Sequence, residues 1–402
     1  MNTDKKFVKG FKYRIYPNDE QIDLFSNTFG CVRFVWNSVL ADTIREYEFY
    51  LKHKNYSTVT LVIKPSITGF NLVNKLIPLK TSPEYEWLNN VSSVALQQKL
   101  FDLNDAFSNF FKTKKGYPKF KKKGNAESFR LMSNSYRFKD NQFYIAKSKD
   151  PIKVKWSRDL PSTPTSVTIS KTPTNKYYIS FVCEYIPTKT NGTGKIGIDL
   201  GLKDFLVDSN DNRIENPKYF RKSQQKLKKL QRKLSKKQKS SKNRNKLRIK
   251  VAKLHEHIAN QRNDFIHKVS RKLINENQVI GLESLKINNM IRNRNLSKSI
   301  SDVGWGIFTN QLIYKAHESQ HCKLVFMDCW YPGSHICNCC NTKLDRKLKL
   351  SERYWTCPTC NTKHDRDFNA SKNHRDVAIK NLAIYDPENT NSALVILVDS
   401  YK

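Results

Sequence analysis

The chain has 402 residues, of which 38% are hydrophobic and 27% charged, so it is long enough for two or three compact domains with ordinary apolar cores. Lysine and arginine total 72 against 36 acidic residues, and the resulting net charge of +36 indicates a polyanion as partner. No apolar run approaches the roughly 18 residues of a membrane-spanning helix, and the charged N-terminus argues against a signal peptide. We expect no membrane partner and a reducing, cytoplasmic compartment, where the nine cysteines are thiols or metal ligands.

About the first 120 residues predict one strand followed by helices. The segment FVKGFKYRIY alternates as a strand does and stops at Pro17, after which Asn18 or Asp19 can cap a helix. The apolar face of that helix consists of Ile22, Phe25, Phe29, Val32 and Trp36. A later helix, which ends before Gly116 and Pro118, carries a stripe of Val94, Leu100, Leu103, Phe107 and Phe110. We interpret both stripes as core packing.

The stretch from about residue 128 to 186 predicts a small barrel or sheet. Its short β-prone runs, separated by Pro, Asn, Asp and Lys turns, are YRF, QFYIA, IKVKW, SVTIS and YYISFVCEY. A polar linker, TKTNGTG, then leads into the part of the chain that carries the chemistry.

Acidic residues stand where three later elements end or begin. Asp199 ends an apolar strand in KIGIDLGLKDF, with a turn-permitting glycine on either side, and Glu283 ends the strand NQVIGLE. Asp365 and Asp367 precede a helix in HDRDFNASKN. Taken singly, each has an ordinary structural interpretation, as a polar strand end or as a helix N-cap.

Taken together, the acids indicate a divalent-metal phosphodiesterase site. Three carboxylates repel one another unless a cation joins them. Mg²⁺ prefers oxygen ligands, and two ions about 3.5 to 4 Å apart can stabilise both the attacking and the leaving oxygen of a phosphate displacement. The sequence contains neither GxSxG nor GxxxxGK[ST], so no serine hydrolase or P-loop motif competes. We therefore predict two Mg²⁺ ions as cofactors.

A strongly basic stretch lies between the first two acids. Residues 218–253 include 17 lysines or arginines among 36 residues and no acid, and leucines at helical spacing flank a polar turn. This pattern predicts a basic helical hairpin over residues 218–260. A charge run is often only a solvated face, but its position inside the predicted catalytic fold favours contacts to a phosphate backbone. Our candidates for these contacts are Lys226, Lys229, Arg232, Lys233 and Lys236.

Two CxxC pairs predict one structural Zn²⁺ ion. Cys337 and Cys340, then sixteen residues, then Cys357 and Cys360 have the spacing of a tetrahedral four-cysteine site. Thioredoxin-like redox chemistry is the rival for a single CxxC, but these pairs lie in a polar loop without the helix that such motifs begin. We interpret Cys339 as a spare thiol, and His335 and His364 as bystanders. The cysteines expected in the core are Cys31, Cys183, Cys322 and Cys329.

The order of these motifs resembles TnpB, the family of transposon-encoded RNA-guided nucleases related to type V CRISPR effectors. The resemblance covers nearly the whole chain, with one small departure at Asn341, where relatives often have glycine. The segments that carry it are FKYRIYPNDEQ, CVRFVWN, GYPKFKKK, GIDLGLKDF, IGLESLK, SISDVGWGIFTNQLIYKA, the CxxC pairs and HDRDFNASKN.

The resemblance implies an α+β multidomain fold. A β-barrel wedge domain (1–17 and 116–190) would hold an inserted helical recognition domain (18–115). A RuvC-like nuclease of RNase H fold (191–330 and 361–385) would follow, with a zinc knuckle that binds target nucleic acid inserted at 331–360. We assign no structure to the tail, 386–402.

The resemblance also implies the site and its partners. Asp199, Glu283 and Asp367 would be the catalytic, magnesium-binding acids; Asp367 is preferred to Asp365 because the family's acid stands directly before x-Asn-Ala. The partners would be a guide RNA from the transposon end and double-stranded target DNA, bound by a monomer in a bacterial or archaeal cytosol, at the nucleoid. For reading a short adjacent DNA motif the candidate is Gln97, because glutamine amides can pair with adenine; the alternative is an ordinary glutamine on a helix surface.

Three functions fit these motifs. The first is an RNA-guided DNA endonuclease that supports retention of its transposon, and the second is a nuclease-silent, RNA-guided DNA-binding regulator on the same fold. The third is a transposase that itself joins DNA ends. Because all three acids are present, the sequence favours the nuclease.

Overall fold

The structure is a computed structural model that describes residues 6–54, 64–113, 116–124, 127–140, 142–188, 190–346, 348–349, 351–384 and 395–398. The chain divides into two compact units, residues 1–186 and 187–402. Among the described residues, no helix is both long enough and apolar enough to cross a membrane. The start of the predicted wedge domain, residues 1–5, and most of the predicted tail lie outside the described residues.

The first unit combines an antiparallel sheet with helices that follow its first strand. The strands of the five-stranded sheet are ordered β2-β6-β7-β1-β5, and β3 and β4 form a separate hairpin. The strands are β1 (Phe7–Tyr16), β2 (Glu127–Met132), β3 (Tyr136–Lys139), β4 (Gln142–Ile145), β5 (Lys153–Lys155), β6 (Ser166–Lys171) and β7 (Tyr177–Tyr185). The helices are α1 (Asp19–His53), α2 (Gly69–Asn74), α3 (Leu76–Thr81), a 3-10 helix (Pro83–Asn90) and α4 (Ser93–Thr113).

Local sequence explains the elements of this unit. Asn18 caps α1 through a hydrogen bond from the Gln21 amide, and the Gln21 side chain accepts a bond from the Asn18 amide in return. The predicted apolar face of α1 packs together with Leu100, Leu103 and Phe107 of α4 and the inner face of the sheet in one core. Val94 and Phe110 of the predicted α4 stripe are only partly buried, and Ala95 and Leu96 are buried instead. All five predicted β runs of the region from 128 to 186 form strands.

The second unit is built on a six-stranded mixed sheet with the order β10-β9-β8-β11-β12-β15. Its strands are β8 (Gly194–Leu200), β9 (Asp204–Asp208), β10 (Arg213–Glu215), β11 (Asn277–Glu283), β12 (Lys323–Met327) and β15 (Val395–Val398). Two short strands, β13 (Tyr354–Thr356) and β14 (Lys363–Asp365), form a separate pair. The helices are α5 (Tyr219–Ser235), α6 (Lys242–Glu276), α7 (Ile287–Met290), α8 (Ser297–Val303), α9 (Trp305–Ser319) and α10 (Arg366–Ile384).

Strand directions bring the chemistry to one edge of this sheet. β8, β11, β12 and β15 run parallel, whereas β9 is antiparallel to β8 and β10 is antiparallel to β9. Alternate residues of β8, β11 and β12 pack against α6 and α9 on one face, and α10 covers the other face. The carboxyl ends of the parallel strands therefore lie together, where ligands bind in open sheets of this kind.

The structure changes four details of the sequence interpretation. Gly197 is not a turn residue but lies inside β8, and the basic hairpin is longer than predicted, since α6 continues to Glu276. Cys329 is partly exposed rather than buried, because it lies in the turn after β12. A strand, β15, forms in the tail, to which the sequence analysis assigns no structure.

Candidate active site and zinc knuckle

Asp199 and Glu283 are neighbours at the carboxyl edge of the sheet. Glu283 is the last residue of β11, and Asp199 lies one residue before the end of β8. The parallel register pairs Leu282 with Ile198, which puts the two acids side by side. Both line one cavity of about 250 Å³, which Asp367 lines as well.

The third acid comes from the first turn of α10, and its neighbour Asp365 has another role. An oxygen of Asp365 accepts hydrogen bonds from the amides of Asp367 (3.1 Å) and Phe368 (3.0 Å), and the second oxygen lies 3.2 Å from Arg213. Asp365 thus caps the helix. Asp367 is one of the cavity-lining residues, and Asp365 is not. The structure thus brings together the three acids that the sequence predicts.

Helix α10 reaches the acids because two glycines let it lie directly on the sheet. A Cβ atom on Gly197 would come within 1.9 Å of the Ser371 carbonyl oxygen, and one on Gly281 within 2.2 Å of the His374 oxygen. Only glycine allows so close an approach of helix and strand backbone. These close contacts are what hold the N-terminus of α10 over the ends of β8 and β11.

A neutral histidine lies beneath the carboxylates. The Nδ1 atom of His374 is 2.8 Å from the Ile198 carbonyl oxygen, so Nδ1 carries the ring proton and donates a hydrogen bond to that oxygen. Burial lowers the pKa of His374 to about 4, so the ring adds no charge to the site at neutral pH.

The electrostatics of the cavity favour a bound cation. Burial raises the pKa of Asp199 well above its ordinary value, and the nearby charges of Glu283 and Asp367 raise it further. Burial raises the pKa of Glu283 to about 7. A bound cation would relieve both the desolvation and the mutual repulsion of these acids. The donor set, three carboxylates at one small cavity, is the kind that binds Mg²⁺.

Two arginines contact Asp367 from different segments. Arg353 Nη1 donates to one carboxylate oxygen at 2.5 Å, and Arg366 Nε donates to the other at 3.0 Å. Arg353 precedes β13, within the segment that holds the cysteines. The cavity therefore combines acids that can bind cations with guanidinium groups that can bind a phosphate.

The four cysteines form two matching knuckles. The sulfurs of Cys337, Cys340, Cys357 and Cys360 lie within 4.8 Å of one another. Between the two knuckles, the Cys337 and Cys360 sulfurs are 3.6 Å apart, and so are the Cys340 and Cys357 sulfurs. A zinc ion bonded to four sulfurs at about 2.3 Å requires sulfur separations of about 3.8 Å. The cluster can thus hold a zinc ion.

Each knuckle has an asparagine at its turn. Asn341 has φ +58° and Asn361 φ +57°, and their amides donate to the Cys337 and Cys357 carbonyls at 2.9 and 3.0 Å. Asparagine tolerates this left-handed conformation, so Asn341 preserves the turn in which relatives often have glycine. The hydroxyl of Thr362, bonded to the Cys360 sulfur, lowers the pKa of that thiol to about 6, which favours the thiolate that a metal needs.

The two histidines near the knuckles differ in their contacts. His364 Nε2 lies 3.0 Å from the Cys337 sulfur, and with Cys337 and Cys339 it forms a second group whose ligand atoms are within 4.8 Å. His364 is therefore in direct contact with the cluster, whereas the sequence indicates only a bystander near it. His335 instead accepts a hydrogen bond from the Leu348 amide and lines the acid cavity.

Side chains of α10 attach the first knuckle to the catalytic helix. The amides of Asn369 and Asn373 donate to the Ile336 carbonyl at 2.7 and 2.8 Å, and Asn369 accepts from the Asn338 amide at 3.0 Å. Asn369 lies two residues after Asp367 and is buried. The knuckle and the third acid are thus parts of one hydrogen-bonded assembly.

The basic hairpin consists of α5 and α6, which meet through a small apolar cluster around Leu227, Leu254 and Ile258. Its base is held by Asp302 of α8, which accepts bonds from the amides of Phe220 (2.9 Å) and Arg221 (3.1 Å). All five predicted phosphate contacts, Lys226, Lys229, Arg232, Lys233 and Lys236, are exposed. In the first unit Gln97 lies in α4 and is partly buried.

Comparison with known proteins decides the family. A protein of Streptomyces pristinaespiralis is 37% identical over 369 residues, which are 91% of this chain and 88% of that protein, and is named "Putative RNA-guided DNA endonuclease". The chain belongs to the TnpB family. A protein of Escherichia coli K12 named "Putative RNA-guided DNA endonuclease InsQ" is 28% identical over 77% of this chain and 78% of its own length.

Family profiles match most of this TnpB-family chain, and a solved structure shares its fold. The profile "Probable transposase" of the OrfB group matches residues 167–294, its helix-turn-helix domain matches 8–52, and a Cas12f1-like TNB domain matches 305–374. The structure of a Cas12f1–sgRNA–target DNA complex covers 92% of this chain and 99% of its own, with a TM-score of 0.53 and 12% identity. That likeness shows a Cas12f-like α+β fold.

Sequence reasoning missed several residues that shape this TnpB-family site. Arg353, Arg366 and His374 contact the acids or lie beneath them, yet none stands in a pattern that predicts it. A signal did exist for the glycines: Gly197 and Gly281 each interrupt an apolar strand, which often marks a close backbone approach.

Proposed function

We propose that the chain is an RNA-guided DNA endonuclease of a transposable element, which cleaves DNA next to a short adjacent motif and supports retention of the element. The observation that carries the chemistry is the meeting of Asp199, Glu283 and Asp367 at one cavity. Family membership supports guidance by RNA, because the similar proteins are named for it.

The nuclease is proposed to be a RuvC-like domain of RNase H fold. The order β10-β9-β8-β11-β12, with three antiparallel strands followed by two parallel ones, supports this assignment. In the first unit the sheet is proposed to be the wedge domain, and the helices after β1 the recognition domain. The segment with the cysteines is proposed to be a zinc knuckle that contacts the target nucleic acid.

In the proposed reaction, Asp199, Glu283 and Asp367 would hold two Mg²⁺ ions, which would supply an activated water and neutralise charge that develops on the phosphate. The three carboxylates orient the site and must be ionised to do so. Arg353 and Arg366 then exchange part of their contact with Asp367 for the oxygens of the scissile phosphate. His374, uncharged, fixes the end of β8 through the Ile198 carbonyl.

The exposed lysines and arginines of α5 are proposed to bind the phosphate backbone of the guide RNA. Such contacts position a nucleic acid without reading its sequence, so base pairing with the guide would select the target. This division of labour accounts for a net charge far larger than a short DNA motif requires.

Cleavage assays with acid variants test the nuclease. With guide RNA and Mg²⁺, Asp199→Ala, Glu283→Ala and Asp367→Ala should each abolish cutting and leave DNA binding largely intact. The matched control is Asp365→Ala, which removes a helix cap and should be milder. A dead Asp365→Ala variant beside an active Asp367→Ala variant would reverse the assignment of the third ligand. Binding without cutting by the unaltered protein would favour the nuclease-silent regulator instead.

Guidance is tested through the RNA. Protein purified from cells that express its own element should carry one abundant structured RNA, and rewriting the variable end of that RNA should move the cut. Equal cutting of the same sites after RNase treatment would point to a protein-directed nuclease. Joining of DNA ends by the purified protein would favour the transposase.

Gln97 is proposed to read the adjacent motif. A randomised-motif cleavage assay should show relaxed preference at one position for Gln97→Ala, because a bidentate pair with adenine is worth roughly 1 to 3 kcal/mol of discrimination. Unchanged preference would remove Gln97 from this role.

A further inference from the structure

We propose that Trp330 and Lys286 form a platform on which one unpaired base of the target DNA stacks while the neighbouring phosphate enters the acid cavity. The inference rests on the proposed nuclease function and assigns a DNA-positioning role to two residues outside the acid set.

Trp330 is unusually exposed for its size. Its exposed fraction is 75%, compared with 40% for Trp87 and 41% for Trp156. The turn that carries it is ordered by hydrogen bonds from the Trp330 amide to the Asp328 carboxylate (2.7 Å) and from the Tyr331 amide to the Asp328 carbonyl (3.0 Å). The indole is therefore presented to solvent by a fixed backbone, as a stacking platform requires.

Register places this indole at the catalytic edge of the sheet. Met327 of β12 pairs with Glu283 of β11, and the Ser284 amide continues the pairing with a 2.9 Å bond to the Met327 carbonyl. Trp330 and Lys286 each follow three residues after one member of that pair. Tyr331, the next residue after Trp330, lines the acid cavity itself.

The platform combines an aromatic surface with a positive charge. The Lys286 ammonium nitrogen lies 5.4 Å from the centre of the indole ring, within cation–π range. A base can stack on an exposed indole whatever its identity, and the lysine can bind the phosphate beside that base. An aromatic residue and a cation side by side are the usual means by which proteins hold single-stranded nucleic acid.

The lining of the acid cavity explains why a platform outside it is needed. Three carboxylates, Arg366 and two histidines line this cavity of about 250 Å³, and they suit a phosphate group and its cations rather than the apolar face of a base. We therefore place the base beside the scissile phosphate outside the cavity. Once unpaired it loses its stacking partners, and a protein ring can replace them.

The test combines Trp330 variants with abasic DNA in single-turnover cleavage. Trp330→Ala should slow cutting about 10-fold, and Trp330→Phe, which keeps an aromatic face, should recover most of the rate. Once the cut is mapped, removing one particular base beside it should slow the unaltered protein by a similar factor. That abasic DNA should cause no further loss in Trp330→Ala, because the stacking contact is already absent.

Controls separate this role from folding and from the nuclease itself. Trp330→Ala should keep the melting temperature and zinc content of the unaltered protein. The platform would be overturned if Trp330→Ala cut at the unaltered rate. It would also be overturned if abasic DNA slowed Trp330→Ala by the same factor as it slows the unaltered protein. Either result would leave the proposed nuclease intact.

A binding measurement keeps the platform testable if the unaltered protein cuts no DNA, an outcome that would instead contradict the proposed function. The probe is a single-stranded thymidine oligonucleotide. Binding of this oligonucleotide should quench tryptophan fluorescence more in the unaltered protein than in Trp330→Phe. The difference is expected because a base stacked on the Trp330 indole quenches the fluorescence of that indole. Equal quenching would count against stacking at Trp330.

Discussion

Gly197 of β8 and Gly281 of β11 are direct partners across the parallel pair, and α10 crosses the sheet on the bare backbone that they provide. The acids of the proposed active site lie two residues beyond these glycines on both strands, at Asp199 and Glu283. The position of the third acid, Asp367, therefore depends on the absence of two methyl groups.

Adding one of those methyl groups should displace the catalytic helix. We expect Gly281→Ala to lose about 1 to 3 kcal/mol of unfolding free energy and most of its cutting activity, because the new Cβ would meet the His374 oxygen at 2.2 Å. Denaturant unfolding and a cleavage assay measure the two effects. The control is Gly30→Ala in α1, where a Cβ would meet nothing within 4 Å and should stabilise the helix slightly. A fully active, stable Gly281→Ala variant would show that α10 can shift without harm.

The buried carboxylates should make metal-free protein less stable as pH rises. The pKa of Glu283 is raised to about 7, so between about pH 4.5 and 7 the folded state holds a proton that the unfolded state has released. This contribution, on the order of 3 kcal/mol at most, is present below pH 4.5 and lost as pH passes 7. Mg²⁺ should restore stability, and more strongly at higher pH, because it competes with protons.

Melting temperatures measured across this pH range, with and without Mg²⁺, check that prediction. In Glu283→Gln, which keeps the shape of the side chain but has no proton to lose, the pH dependence should become shallower. A stability of the unaltered, metal-free protein that rises from pH 5 to 7.5 would contradict the burial of these acids.

Loss of zinc should reach the active site through α10. Replacing Cys337, Cys340, Cys357 or Cys360 by Ser should lower zinc content and cutting together, because the knuckle is hydrogen-bonded to Asn369 and Asn373. Cys339→Ser should keep its zinc. Asn373→Ala provides the distinguishing variant, since it should retain zinc but lose activity. Normal zinc in Cys357→Ser, measured on freshly purified protein, would refute the four-cysteine site.

The base of the basic hairpin should depend on Asp302. Asp302→Ala removes the acceptor of two amides at the start of α5 and leaves Arg262 without its 3.2 Å partner. We expect faster hydrogen exchange at residues 219–222 and weaker RNA binding. Asp264→Ala is the matched control, because its ion pair with Lys268 lies on the exposed surface of α6. Identical exchange in the two variants would mean that Asp302 does not hold the hairpin.

Motifs with local spacing could be predicted, whereas contacts between distant segments could not. The helix start at Asn18 or Asp19 follows from residue type, and the structure places the N-cap at Asn18. The five predicted strands of the first unit and the basic hairpin follow from local periodicity and are present. The pairing of Arg353 with Asp367 depends on where the knuckle folds back, and nothing in the sequence near either residue encodes that distance. Asp365 and Asp367 show most clearly what the sequence does not predict. They are the same residue type two positions apart, yet Asp365 caps the helix and Asp367 lines the cavity.

The strand β15 decides where the protein can be shortened or fused. It pairs in parallel with Leu324–Met327 of β12, so it covers an edge whose amides and carbonyls would otherwise be open to other chains. A version cut back to residue 384 would expose that edge beside the catalytic cavity and invite aggregation. Tags, reporters or effector domains added for genome engineering therefore belong after Val398, on a linker that lets the strand pair first.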